Sequence, residues 1–249
     1  MNSYQLYSSR NFPPVAETLK MLAELGYDGA EGFGGLYADK AGLENLAAGL
    51  KANGLAMKSG HFGLDQVELT PDWAIEVATT LGMDTVIVPW IHPDLRPSTG
   101  KGWHDLGARL QKAGAPIRAA GLQFGWHNHD FEFVKTADGA IPQTAFFDGG
   151  PDLKWEMDVA WVVRGGADPL AWIKDHASRI VAAHVKDIAP KGENLAEDGW
   201  ADVGHGVVAW REIMPALKAI GVTNFVMEHD NPADHRRFAT RALALVKSW

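Results

Sequence analysis

The chain has 249 residues, 46% of them hydrophobic, which suits one domain with a sizeable core. Lys and Arg total 23 against 31 Asp and Glu, a formal net charge of −8, so a broad electrostatic grip on nucleic acid or on an anionic membrane is disfavoured and a small-molecule partner is expected. Cysteine is absent, which excludes disulfides, thiolate metal sites and cysteine nucleophiles and leaves any metal to N and O ligands.

The N-terminal MNSYQLYSSRNFPP has no basic region followed by an apolar run, and nowhere do about 18 apolar residues run uninterrupted. A soluble, cytoplasmic protein is expected. A strand-then-helix rhythm recurs along the chain, with strands predicted at 4–7, 29–33, 55–61, 85–90, 122–129, 153–158, 180–186 and 224–228. Prolines mark helix openings at Pro14, Pro71, Pro169 and Pro232. Glycines just ahead of the next strand, at Gly26, Gly54, Gly82, Gly121 and Gly221, mark helix ends. Eight such units in about 250 residues predict one α/β domain over 1–249, a (β/α)8 barrel of parallel strands.

Four of the strand segments turn abruptly polar at their C-terminal ends: GWHNHDFEF (125–133), LKWEMD (153–158), IVAAHVKD (180–187) and FVMEHD (225–230). Parallel neighbours would bring these ends together at the barrel mouth, where enzymes of this architecture keep their chemistry. Alternate residues of a strand share a side, so His127 goes with His129, Glu156 with Asp158, His184 with Lys186 and Trp90 with His92. Their neighbours Ala183, Val185, Trp155, Met157, Phe225 and Met227 are suitably apolar for the helix-facing side. Any one of these polar residues read alone is more simply a helix cap or a hydrogen-bonded structural group. Together they are harder to dismiss, because seven of ten histidines (61, 92, 127, 129, 184, 205 and 229) fall at strand ends or just after them. Carboxylates with imidazoles and no thiolate suit one divalent cation, Mn²⁺ first because the set is rich in hard oxygen, with Mg²⁺, Zn²⁺ and Co²⁺ as alternatives.

From YQLYSSRNFP through GYDGAEGFGGLY, KSGHFGLD, WHNHDFEF, EMDVAWVVRGGADP and HVKD to VGHGVVAW and VMEHD, the chain resembles the xylose isomerase-like TIM barrels. That family includes ketose 3-epimerases, hydroxypyruvate isomerases, inosose dehydratases and a divergent endonuclease IV branch. The resemblance implies one divalent cation held by a Glu after strand five, an Asp after strand six, a His after strand seven and a Glu after strand eight. The last three fall on Asp158, His184 and Glu228. At the first, where many relatives read Glu-Asn-His, this chain reads His127-Asn128-His129, so either His127 binds the cation or Glu132 swings in to replace the missing carboxylate.

The implied activity is that of an isomerase or epimerase of a keto-sugar or related polyol, with a proton removed beside a metal-bound carbonyl to give an enediolate. Each well-placed acid or base adds roughly 10²- to 10⁴-fold. Glu228 is assigned one proton-transfer role; Glu132 or a histidine of the HNH segment takes the other. Glu31, His61, Trp90, His92, His129 and Lys186 are candidate substrate contacts, against plainer readings of Glu31 as a cap, Trp90 as packing and Lys186 as the salt-bridge partner of Asp187. Trp161 and Trp200 are candidates to close over a sugar ring. No phosphate-cradling glycine motif occurs, so a free or oxidised sugar is expected. The same intermediate can expel a leaving group, which makes a lyase or dehydratase on a 3-keto-sugar or inosose the alternative. A three-zinc nuclease is disfavoured, because Trp161 stands where the nuclease branch has a second His, and no Asp-x-His follows His184 within 193–202. A non-catalytic sugar-binding barrel is the remaining reading. A homodimer is expected by analogy with the family.

Overall fold

The computed structural model describes residues 1–249. Eight parallel strands close into a barrel: β1 (Asn2–Gln5), β2 (Gly29–Phe33), β3 (Ser59–His61), β4 (Thr85–Val88), β5 (Gln123–His127), β6 (Lys154–Asp158) and β7 (Ile180–Val185), with the last stave following two shorter strands. Those two, β8 (Asp187–Ile188) and β9 (Trp200–Ala201), form an antiparallel hairpin outside the barrel, and β10 (Asn224–Met227) then pairs with both β7 and β1 to close it. The (β/α)8 expectation therefore holds, with one extra hairpin that the sequence pattern does not announce. No helix is long and apolar enough to cross a membrane.

Helix boundaries follow the expected punctuation with two exceptions. Gly26, Gly54, Gly82, Gly121 and Gly221 all adopt left-handed φ, between 64° and 90°, the backbone that glycine takes without steric cost. Pro71 and Pro169 sit in the first turns of Pro71–Leu81 and Pro169–His176. Pro14 instead lies one residue ahead of Val15–Leu25. The last helix, His235–Val246, starts at Asp234, whose carboxylate accepts the Arg237 N–H at 2.9 Å, leaving Pro232 in the preceding loop.

The apolar core lies between strands and helices. Trp155, Met157, Ala183, Val185 and Met227 are fully buried in it, as their strand parity requires. The bore of the barrel is different. Branched aliphatic layers are usual there, yet Ser3, Gln5, Glu31, Ser59, Glu156, His184 and Asn224 are buried inside and bond across it. Ser3 donates to Asn224 at 2.7 Å, Asn224 donates to Ser59 Oγ at 3.2 Å, and Ser59 donates to Glu31. A buried polar group without a partner costs about 1–3 kcal/mol, and within this network only Glu156 Oε1 is left without one.

Candidate metal centre

The C-terminal ends of β5, β6, β7 and β10 bring His127, Asp158, His184 and Glu228 together, each offering one donor atom within 4.8 Å of the others. His127, His184 and Asp158 are at most 3% exposed and Glu228 is 5% exposed. His184 Nδ1 lies 2.8 Å from Glu228 Oε2 and 3.9 Å from Asp158 Oδ2, and His127 Nε2 lies 3.5 Å from Asp158 Oδ2. Asp158 also caps the helix Val159–Arg164, its Oδ1 accepting the Trp161 N–H at 2.9 Å, which fixes the carboxylate and turns Oδ2 inward.

These residues fit a divalent cation on three counts. Both ring nitrogens of His127 and the Oδ2 of Asp158 are buried without any hydrogen-bond partner, an expensive arrangement unless something else occupies them. The donor set is two imidazoles and two carboxylates, with no thiolate, as N/O-ligated divalent ions take. Charge points the same way. Five carboxylates, Glu31, Glu156, Asp158, Glu228 and Asp230, crowd around His61, His184 and Lys186 and outnumber them.

The electrostatics reflect that surplus. Burial and the neighbouring Glu156 push Glu31 up to about 7. Burial pushes Asp230 up to about 6 against the pull of Lys186. Glu228, although burial would raise it, is held well below the usual carboxylate range by Lys186 and His184. Burial would likewise discharge His184, but Glu156, Glu228 and Glu31 hold its pKa well above that of a free imidazole. His127 and His129 go the other way, burial and adjacent imidazoles favouring their neutral forms.

Several candidate residues lie elsewhere than the sequence suggests. Glu132 is outside the cluster: Trp126 points to the helix side of β5, and Glu132 folds back beneath it, Oε1 accepting the indole N–H at 3.0 Å and Oε2 the His129 N–H at 3.0 Å. The strand-five donor facing the other three is thus His127, and Glu132 belongs neither to that cluster nor to the cavity lining. Glu31 is fully buried in the bore beneath His184 and makes no cavity wall. His92 is exposed and caps the short turn Pro93–Leu95 through the Asp94 N–H at 3.3 Å. Lys186 does not pair with Asp187; it is buried at 2.8 Å from Asp230, 3.2 Å from Glu228 and 3.5 Å from Asp158, under the faces of Trp161 and Trp200. Asp187 instead accepts backbone N–H groups from Ile188, Gly204, Gly206 and Val208. Trp200 is buried packing, whereas Trp161 faces the cavity.

Above the cluster opens a cavity of about 510 Å³, within the range that holds small-molecule ligands. His61, Trp90, His129 and Trp161 line it together with His127 and Glu228. The sequence reading missed Tyr7, Arg10, Phe33 and Asp230, which also line it. Asp230 was within reach of strand parity, two residues after Glu228. Tyr7 and Arg10 come from the 3-10 turn Leu6–Ser9 and its cap, where the sequence reading extends the first strand over 4–7 although β1 ends at Gln5.

Residues 19–247 match the family model described as xylose isomerase-like TIM barrel. Among curated proteins none matches the chain significantly. Solved structures do share the fold. A sugar phosphate isomerase/epimerase from Parabacteroides distasonis is 20% identical with a TM-score of 0.80, over 97% of this chain and 91% of that one. The probable 3-DHS dehydratase AsbF from Bacillus anthracis is 15% identical with a TM-score of 0.77, over 99% and 98%. The IOLI protein, solved with a binding zinc atom, is 15% identical with a TM-score of 0.71, over 99% and 95%. With the barrel, the polar strand ends and a family match spanning most of its length, the chain belongs to the xylose isomerase-like TIM barrel family.

Proposed function

We propose that the protein is a divalent-metal-dependent isomerase or epimerase of a keto-sugar or related polyol, with Mn²⁺ as the first candidate ion. The observation that carries this reading is the convergence of His127, Asp158, His184 and Glu228 under an open cavity, with both ring nitrogens of His127 and Asp158 Oδ2 lacking a hydrogen-bond partner. A bound divalent cation supplies Lewis-acid polarisation of a carbonyl oxygen, worth several kcal/mol to the removal of a neighbouring proton.

The chain's own groups supply the rest. Glu228 is kept ionised by Lys186 and His184 and lines the cavity, so its carboxylate is the base that takes a carbon-bound proton. Glu132, bonded to the Trp126 indole and the His129 N–H and absent from the cavity lining, is not assigned the partner role. His129 faces the same cavity with a buried Nδ1 that has no partner and is the proton carrier from the strand-five side. Trp90 and Trp161 provide flat walls for a sugar ring. His61 lines the cavity with its Nε2 held 2.6 Å from Glu156, leaving its ring edge to the substrate.

The test is incubation of ketoses, inososes and 3-keto-glycosides with the Mn²⁺-loaded protein in D₂O. Carbon-bound deuterium appearing without elimination supports epimerisation or isomerisation. Exchange coupled to loss of a leaving group converts the assignment to lyase. Stoichiometric ion binding with no exchange on any of these substrates overturns the enzymatic reading in favour of a sugar-binding barrel.

A further inference from the structure

Below the ion site the bore holds a second group of facing donors, which shares His184 with the first and adds two carboxylates, Glu31 and Glu156, that the proposed reaction does not use. Glu31 on β2, His61 on β3, Glu156 on β6 and His184 on β7 bring one donor each within 4.8 Å. Such a group is either a second ion site or a support for the first. Its own bonding distinguishes the two. Two imidazoles here face two carboxylates and are already bonded to them, His184 Nε2 to Glu31 Oε1 at 2.7 Å and His61 Nε2 to Glu156 Oε2 at 2.6 Å. In the outer group both ring nitrogens of His127 and Asp158 Oδ2 lack a hydrogen-bond partner, whereas the inner group leaves only Glu156 Oε1 without one.

We propose that Glu31 is a positioning residue for the ion site, holding the Nε2 side of His184 so that Nδ1 is aimed at the space shared with His127, Asp158 and Glu228. The proposal rests on the reading of that space as an ion site. Glu31 is itself held firmly: Gln5 Nε2 donates to its Oε1 at 2.7 Å, and the Ser59 hydroxyl donates to its Oε2. Ser59 in turn accepts from Asn224, which accepts from Ser3. A line of hydrogen bonds thus runs from the floor of the barrel to His184 and fixes the direction of its ring. An imidazole gripped at one nitrogen by a fixed carboxylate loses little freedom when the other nitrogen takes an ion, and partners of this kind are worth about 10–100-fold in metal affinity.

The experiment is Mn²⁺ titration calorimetry together with the visible spectrum of the Co²⁺-loaded protein, on wild type, Glu31→Gln and Ser59→Ala, well below the unfolding temperature of each. Expected are one ion per wild-type chain, Mn²⁺ binding weaker by about 10–100-fold in E31Q with an altered Co²⁺ spectrum, and an intermediate loss in S59A, which keeps the carboxylate but removes an anchor. A merely structural role lowers the unfolding midpoint and leaves affinity and spectrum alone. If E31Q does not fold, S59A decides alone. Wild-type affinity and spectrum in the folded variants, or two ions in wild type falling to one in E31Q, overturn the proposal. A wild-type protein that binds neither Mn²⁺ nor Co²⁺ overturns the ion-site reading and this inference with it.

Discussion

Lys186 Nζ lies 2.8 Å from Asp230 Oδ2, the closest of three carboxylates around a fully buried ammonium. One cation thereby holds together the ends of β6, β7 and β10, two of whose acids, Asp158 and Glu228, belong to the candidate metal cluster. Removing one partner from a buried charge cluster leaves the others uncompensated, at a cost of about 3–5 kcal/mol. Lys186→Met is therefore expected to lose stability of that order in urea unfolding. Asp230→Asn added to it should recover part of the loss, because one surplus charge goes with it. A double-mutant cycle with no coupling between the two positions contradicts this account.

Asp158→Asn separates ion binding from folding. The amide oxygen of Asn still caps Val159–Arg164 in place of Oδ1, and Lys186 keeps Asp230 and Glu228 at 2.8 and 3.2 Å, so the metal-free stability is expected to fall much less than in Lys186→Met. The position of Oδ2 becomes an NH₂ group, which no cation accepts. Mn²⁺ affinity should fall by more than the roughly 100-fold typical of outer-partner changes. Calorimetric titration beside a thermal melt of the metal-free variant reads both quantities, and retained affinity removes Asp158 from the ligand set.

Much of this was legible in the sequence. Strand parity correctly separated His184 and Asp158 from the core-facing Ala183 and Met157, because a buried strand must alternate and only one side of it meets the helices. Strand ends were less legible. The predicted 85–90 and 122–129 both overshoot, since pairing stops at Val88 and His127 while the chain beyond bends into the mouth loops. Hairpin β8–β9 has two residues per strand, too few for any periodicity. Glu132 shows the limit most clearly. Five residues separate it from His127, and nothing in that spacing reveals that the loop returns beneath Trp126 and gives both carboxylate oxygens a backbone or indole donor instead of an ion.

That buried carboxyl yields a pH prediction. Burial pushes Glu132 up to about 8 despite its two accepted hydrogen bonds. Between its unfolded value near 4.3 and about 8 the folded protein binds the extra proton, so the stability linked to Glu132 is present at low pH and is lost as pH rises through that window. Glu132→Gln does not titrate. Relative to wild type it should therefore be more destabilised at pH 5 than at pH 8. Urea midpoints of both proteins at the two pH values give the comparison, and a penalty that is constant or grows with pH contradicts the assignment.

Asp187, one residue beyond Lys186, organises the segment that carries Asp198 to the cavity. Its carboxylate accepts N–H groups from Gly204 at 2.8 Å, Ile188 at 2.9 Å, Val208 at 3.0 Å and Gly206 at 3.2 Å. A side chain at 206 has no room in this cradle, because its Cβ would lie 2.2 Å from Asp187 Oδ1. Asp187→Ala strands those donors, and at about 1–3 kcal/mol for each that stays buried the variant should lose about 3 kcal/mol or more in chemical unfolding. Hydrogen exchange should rise selectively over residues 187–208 and much less over β4 and β5. Uniform exchange across the barrel would mean that Asp187 supports the whole fold and not this segment.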